Sequence, residues 1–223
     1  MPVPVPTASI ATADRIRDDI VAGALPLGSR LTLDRLAARY GIGHMPIREA
    51  LRQLQGEGLV VLEPNRAAHV RAVDAEFVRN IFDMRIAIEA MLARRAAENI
   101  APAQVARLEA IQTEFEACAR ARDYAALLRL NRAFHIVICD AARNPEAAAV
   151  LDRHRRLIAA LWTVHGYGED RPAGVISDHR HIIAALAAGD ADAAASLAMA
   201  HAAKAKQALL VRMSAGGRAA AAA

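Results

Sequence analysis

Aromatic residues are scarce in this 223-residue chain, with one Trp, three Tyr and four Phe making up 4% of it. Hydrophobic residues still account for 55%, much of it alanine. That balance suits packed helices and excludes a β-sandwich, which would draw on more Val, Tyr, Phe and Thr. Cysteine is almost absent. Cys118 and Cys139 stand in no CxxC or other metal spacing, so no disulfide framework is expected and both should be reduced thiols. Lysine is nearly missing too: of 28 basic residues only Lys204 and Lys206 are lysines. Arginine suits phosphate and base recognition, but an Ala- and Arg-rich chain is also what a GC-rich genome produces. The formal charge of +4 and a pI of about 9.6 are compatible with nucleic acid without demanding it. No long apolar run occurs, because Arg, His or Asp interrupts each one short of a membrane span. Residues Met1 to Thr7 alternate Pro and Val without a charged n-region, which is neither signal peptide nor anchor. A soluble, cytoplasmic protein is expected. A nucleophile motif and a Gly-rich phosphate loop after a strand are both lacking, which weighs against an enzyme.

What is present begins with Gly41-Ile42-Gly43-His44-Met45-Pro46-Ile47-Arg48 and runs on to Gly58. A short helix from about Thr32 to Tyr40 meets a glycine turn, and Pro46 opens a second helix. Ile47, Ala50, Leu51 and Leu54 fall at i, i+3, i+4, i+7, the spacing of a buried stripe. Arg48, Arg52 and Gln55 fall on the other side. Arg can bond guanine or phosphate and Gln can bond adenine, so this helix has the form of a major-groove reader. Before it, Ala8 to Gly23 reads as an amphipathic helix closed by Gly23 and Pro26-Leu27-Gly28. After it, Leu59–Leu62 and Ala68–Arg71 read as two strands around a turn at Glu63–Arg66. Three helices and a small β-hairpin make a winged helix-turn-helix, with Arg66 at the wing tip within reach of phosphate.

From Val73 onward the pattern is helical. Segments are expected at about 75–100, 102–122, 123–142, 145–165, 174–188 and 190–213. Asn144 before Pro145 fits an N-cap with proline at the first helical position. Gly189-Asp190 fits a stop followed by a new cap. The fold expected is mainly α: a loose tail over 1–8, a winged helix-turn-helix over 9–72, an antiparallel helical bundle over 75–213 and a frayed tail over 214–223.

The bundle also carries His135, His179 and His201, with Asn131 one turn before His135 on the same helical face. Three imidazoles and one oxygen converging from separate helices would form a divalent metal site with positions open to water or ligand. Single histidines on helices are otherwise often exposed or simply hydrogen-bonded. His181 projects away from His179, and His154 and His165 suit surface or pocket lining.

In order along the chain, several groups of residues resemble the GntR family of bacterial transcription regulators, and more narrowly its FadR subfamily with a C-terminal FCD domain. In the first domain they are Ile16 to Ile20, Gly23, Leu27-Gly28, Leu31, Leu36-Ala37, Gly41-Ile42, Pro46 to Leu51, Leu54 and Glu57 to Val60. In the second they are Met84-Arg85 with Glu89, Asn131 to His135, Asn144-Pro145, His179, Gly189-Asp190, Met199 and His201. The resemblance implies a ligand-responsive regulator, expected to be a repressor. It would bind a short palindrome of double-stranded DNA as a homodimer, with no membrane partner. Arg48 matches the family's recognition-helix arginine, while His44, Arg52, Gln55 and Arg66 are further candidate DNA contacts. His44 stands where the family usually has Arg, Gly43 where Ser is common, and Ala67 where the wing tip usually has Gly.

The resemblance further implies a metal held by an Asp and three His at the positions of Asn131, His135, His179 and His201. Asn131 replaces the acid and removes a negative charge, which favours zinc or nickel over magnesium or calcium. A small carboxylate is the effector the resemblance implies, with Arg85 a candidate contact; an Arg85–Glu89 pair at i, i+4 is the structural alternative. Trp162 and Tyr167 either line that pocket or pack. Two other functions stay in view: the same regulator without metal, sensing a longer apolar or acyl ligand, and a metal-dependent hydrolase or isomerase.

Overall fold

The computed structural model describes residues 7–63 and 68–221 and divides into two compact units. The first comprises the chain up to Asp74 together with Arg153–Val164. Its elements are α1 (Thr7–Val21), β1 (Arg30–Leu31), α2 (Leu33–Tyr40), α3 (His44–Gly56), β2 (Val60–Leu62) and β3 (Ala68–Val70). Thr32 caps α2 by accepting from the Arg35 amide. Gly41 ends that helix at φ +68°, a left-handed turn that glycine adopts without strain. The chain is thereby reversed into α3, which opens at His44, two residues ahead of Pro46.

Ile16, Ile20, Leu36, Ile47, Leu54 and Leu59 are fully buried and form the core beneath α3. The two strands expected from sequence pair antiparallel, Val60 with Val70 and Leu62 with Ala68. A third strand, β1, lies on the far side of β3, with Arg30 opposite His69. Two residues give no alternating pattern to read, so the wing is a three-stranded sheet rather than a lone hairpin. The wing turn falls at 64–67; Arg66 and Ala67 therefore lie outside the described residues, as do residues 1–6.

The second unit comprises Ala75–Asp152 and the chain from His165 onward. It holds α4 (Ala75–Asn99), α5 (Pro102–Arg120), α6 (Tyr124–Ala141), the first part of α7 (Pro145–His165), α8 (Arg171–Ala187) and α9 (Ala191–Ala221). Among the described residues it contains no strand. Asn144 caps α7 by accepting from the Ala147 amide at 3.1 Å, with Pro145 in the first turn. Asp190 caps α9 in the same way through Ala193. Leu92, Leu108, Phe134, Val137, Ile182 and Leu186 are central to the core.

Residues 153–164 of α7 cluster with the first unit, where Arg156 bonds Glu57. Two element boundaries differ from those expected. α8 begins at Arg171 rather than Gly174, since Pro172 is accepted in a first turn that needs no proline N–H. α9 runs to Ala221, past the expected end at Met213.

Candidate functional site: a histidine chamber and an exposed arginine helix

In the first unit α3 has the two faces its sequence implies. Ile47, Ala50, Leu51 and Leu54 are buried, whereas Arg48, Arg52 and Gln55 are exposed. Arg52 rests on Glu49 one turn back, at 2.8 Å. His44 is exposed at the start of the helix, its Nε2 3.1 Å from an Asp34 carboxylate oxygen. The far end is anchored at Glu57. Arg17 donates to both of its carboxylate oxygens, at 2.9 and 2.6 Å, Arg156 to one of them, and Gln53 adds a bond at 3.1 Å. Burial pushes the Glu57 carboxyl up, but the bonds from Arg17 and Gln53 and the Arg156 charge outweigh it and hold the group below the usual range.

The second unit brings His135 of α6, His179 of α8 and His201 of α9 together, with one ligand atom from each within 4.8 Å of the others. On α6 Phe134 is buried, and half-buried Asn131 and His135 flank it at i−3 and i+1. On α8, Val175, His179 and Ile182 share the buried face. On α9, Ala198, Ala202 and Ala205 surround His201; their small side chains let neighbouring helices approach. His179 is fully buried, its ring stacked at 3.8 Å on Phe134 and tilted against Phe115.

A polar relay orients His179. Arg180 Nε donates to Glu116 at 2.7 Å, and Gln112 Nε2 donates to the same carboxylate oxygen at 3.1 Å. The Gln112 amide is thereby turned so that its oxygen meets His179 Nδ1 at 2.9 Å. Since that oxygen can only accept, Nδ1 carries the proton and Nε2 the lone pair. Burial, with the nearby His201 and Arg171, drives the His179 pKa well below its usual value, keeping the ring neutral. His201 is oriented similarly, with Nδ1 3.3 Å from Asp178 Oδ2. Burial pushes Asp178 up, but His201 and Lys204 dominate and bring it down to about 2, so it is ionised.

Two buried acceptors are left without partners: His179 Nε2 and Asn131 Oδ1. A buried polar atom with no hydrogen bond costs about 1–3 kcal/mol. A cation held by the three imidazoles would relieve His179 Nε2. The donor set therefore fits a divalent metal that favours imidazole, and the Gln112 and Asp178 partners are of the kind that orient metal-binding histidines. Sequence reasoning missed both, because Gln112 is 67 residues from His179 and nothing local marks it.

Arg85 is also buried. Its Nη2 bonds Glu89 at 2.5 Å, but Nε and Nη1 are unpartnered. Ion pairs from Lys206 to Asp83 and from Arg94 to Asp192 set α4 antiparallel along α9, bringing Arg85 level with the turn that holds His201. Arg171, which the sequence reading did not single out, stacks over Tyr167 at 5.1 Å and acts electrostatically on His179. Tyr167 is buried in this unit and Trp162 in the first. His181 is exposed, as expected.

A winged helix with an exposed arginine face, on a chain whose other unit is helical among the described residues and gathers three histidines, is the architecture of a two-domain DNA-binding regulator. Residues 9–70 match the bacterial regulatory proteins of the gntR family, and residues 80–204 match the FCD domain. The chain belongs to the GntR family of transcription regulators with an FCD effector domain. The matched families are those of regulators, not enzymes. Duplex DNA is accordingly the partner of the first unit and a small-molecule effector that of the second.

The HTH-type regulator YdhC of Bacillus subtilis is 24% identical over 189 residues, 84% of each chain. The HTH-type repressor RspR of Escherichia coli is 28% identical over 181 residues, covering 80% of this chain and 78% of its own. In fold the chain is similar to E. coli McbR, with a TM-score of 0.75 at 21% identity, covering 91% of this chain and 95% of that one. Among the described residues no helix is long and apolar enough to cross a membrane.

Proposed function

We propose that this protein is a ligand-responsive repressor of the FadR subfamily that binds a short palindromic operator as a homodimer in the cytoplasm. Its effector domain holds a divalent metal, zinc or nickel, through His135, His179, His201 and the Asn131 amide oxygen. The observation carrying this reading is the meeting of three imidazoles, one of which, His179, keeps a buried and unpartnered Nε2; Asn131, whose buried Oδ1 also lacks a partner, stands one turn before His135 on α6. When bound, such a metal would offer open coordination positions to a small carboxylate.

Arg85 is the proposed second anchor, since its two unpartnered guanidinium nitrogens can donate to the same anion. An effector that binds one arrangement of the bundle better than another shifts operator affinity by that difference. On the DNA side Arg48 is the principal contact, with His44, Arg52, Gln55 and Arg66 contributing.

Elemental analysis of the full-length, untagged protein tests the chamber. About one zinc or nickel per chain, lost in His135→Ala, is expected. Metal absent from both samples would overturn the metal reading and turn the effector search to longer apolar or acyl ligands.

A further inference from the structure

Met45 is the second residue of α3, and its side chain is 66% exposed, more than any other large apolar side chain among the described residues. Single apolar residues on a surface need no explanation. The position of this one does. Arg48 and Arg52 follow it at i+3 and i+7, so all three lie on the stripe opposite the buried face of Ile47, Ala50, Leu51 and Leu54. Met45 also stands in the first turn, the part of a reading helix that reaches base edges. In the major groove the apolar feature that sets one base apart is the C5-methyl group of thymine. A methionine there, unbranched and polarizable, can cover that methyl without a fixed hydrogen-bond geometry.

We propose that Met45 is a specificity-determining residue that selects a thymine in the operator through its C5-methyl group. The arginines beside it bond guanine edges or phosphates and cannot supply that discrimination. This inference rests on the proposed role of α3 as the reading helix, and the test separates the two.

Full-length protein is first used to select its preferred duplex from a random pool. Thymines of that duplex are then replaced singly by deoxyuridine, which pairs identically but lacks the methyl group. At one thymine per half-site the wild type should lose about fourfold in affinity, the worth of one buried methyl. Met45→Ala should bind the parent duplex more weakly and be indifferent to the same replacement. If no deoxyuridine costs the wild type anything, or if Met45→Ala keeps the full penalty, the proposal is overturned. Arg48→Ala serves as the control on the helix. Its binding should fall sharply on every duplex; wild-type affinity in that variant would remove α3 from the interface and the Met45 proposal with it.

Discussion

At the scale of the residue, the chamber depends on side chains whose contribution is indirect. Gln112 touches no ligand in the proposed site, yet its amide oxygen decides which His179 nitrogen carries the proton. Under the metal reading, replacing it with Leu leaves the imidazole free to turn or change tautomer. Losing such an orienting partner commonly costs 10- to 100-fold in metal affinity. Gln112→Leu should therefore bind zinc about 10- to 100-fold more weakly in a chelator-competition titration. Equal affinity for Gln112→Leu and wild type would mean the relay serves packing alone. Asn131 is the converse case: its change from an acid was legible at once in the sequence, but that its oxygen is buried without a partner is a fact of the fold.

At the scale of the element, α3 was the most legible part of the chain. Its apolar and basic residues obey a helical period, and the glycine turn before it is a local signal. What the sequence did not reveal is how its end is held. Arg17, Gln53 and Arg156 converge on Glu57, and the longest of these links spans 99 residues. A pH dependence follows. The Glu57 pKa in the folded protein lies below its ordinary value of 4.5, so the folded state binds fewer protons there than the unfolded state. The stabilisation is fully present above that ordinary value and fades as pH falls through the folded-state pKa. Denaturant melts should show the wild type losing stability below about pH 4.5, and Glu57→Gln losing less over the same range. Parallel loss in both would assign the acid sensitivity to other carboxylates. The short strand β1 and the early start of α8 show the same limit, since a two-residue strand carries no period and Pro172 reads as a break until its place in a first turn is known.

At the scale of the whole molecule, binding should register as stability. A metal that binds the folded chain at 100 times its Kd adds about 2.7 kcal/mol. For a chain of this size that raises the thermal transition by roughly 5–10 °C. Scanning calorimetry with and without zinc, and after chelator treatment, should show this rise and its reversal, and His135→Ala should show neither. An unmoved transition in the wild type would mean the chamber takes no metal.

The amino-acid sequence sufficed for the helical class, the winged helix and its arginine face, because periodicity, caps and turn residues act over a few positions. It also marked His135, His179, His201 and Arg85, on the strength of resemblance. It took the folded core to show that the three imidazoles meet and that Gln112 and Asp178 orient two of them. The physical reason is the range of the forces involved. Helix formation is written in neighbours three and four residues apart, whereas a buried hydrogen bond or a ligand set joins side chains that the chain itself keeps far apart until the core closes.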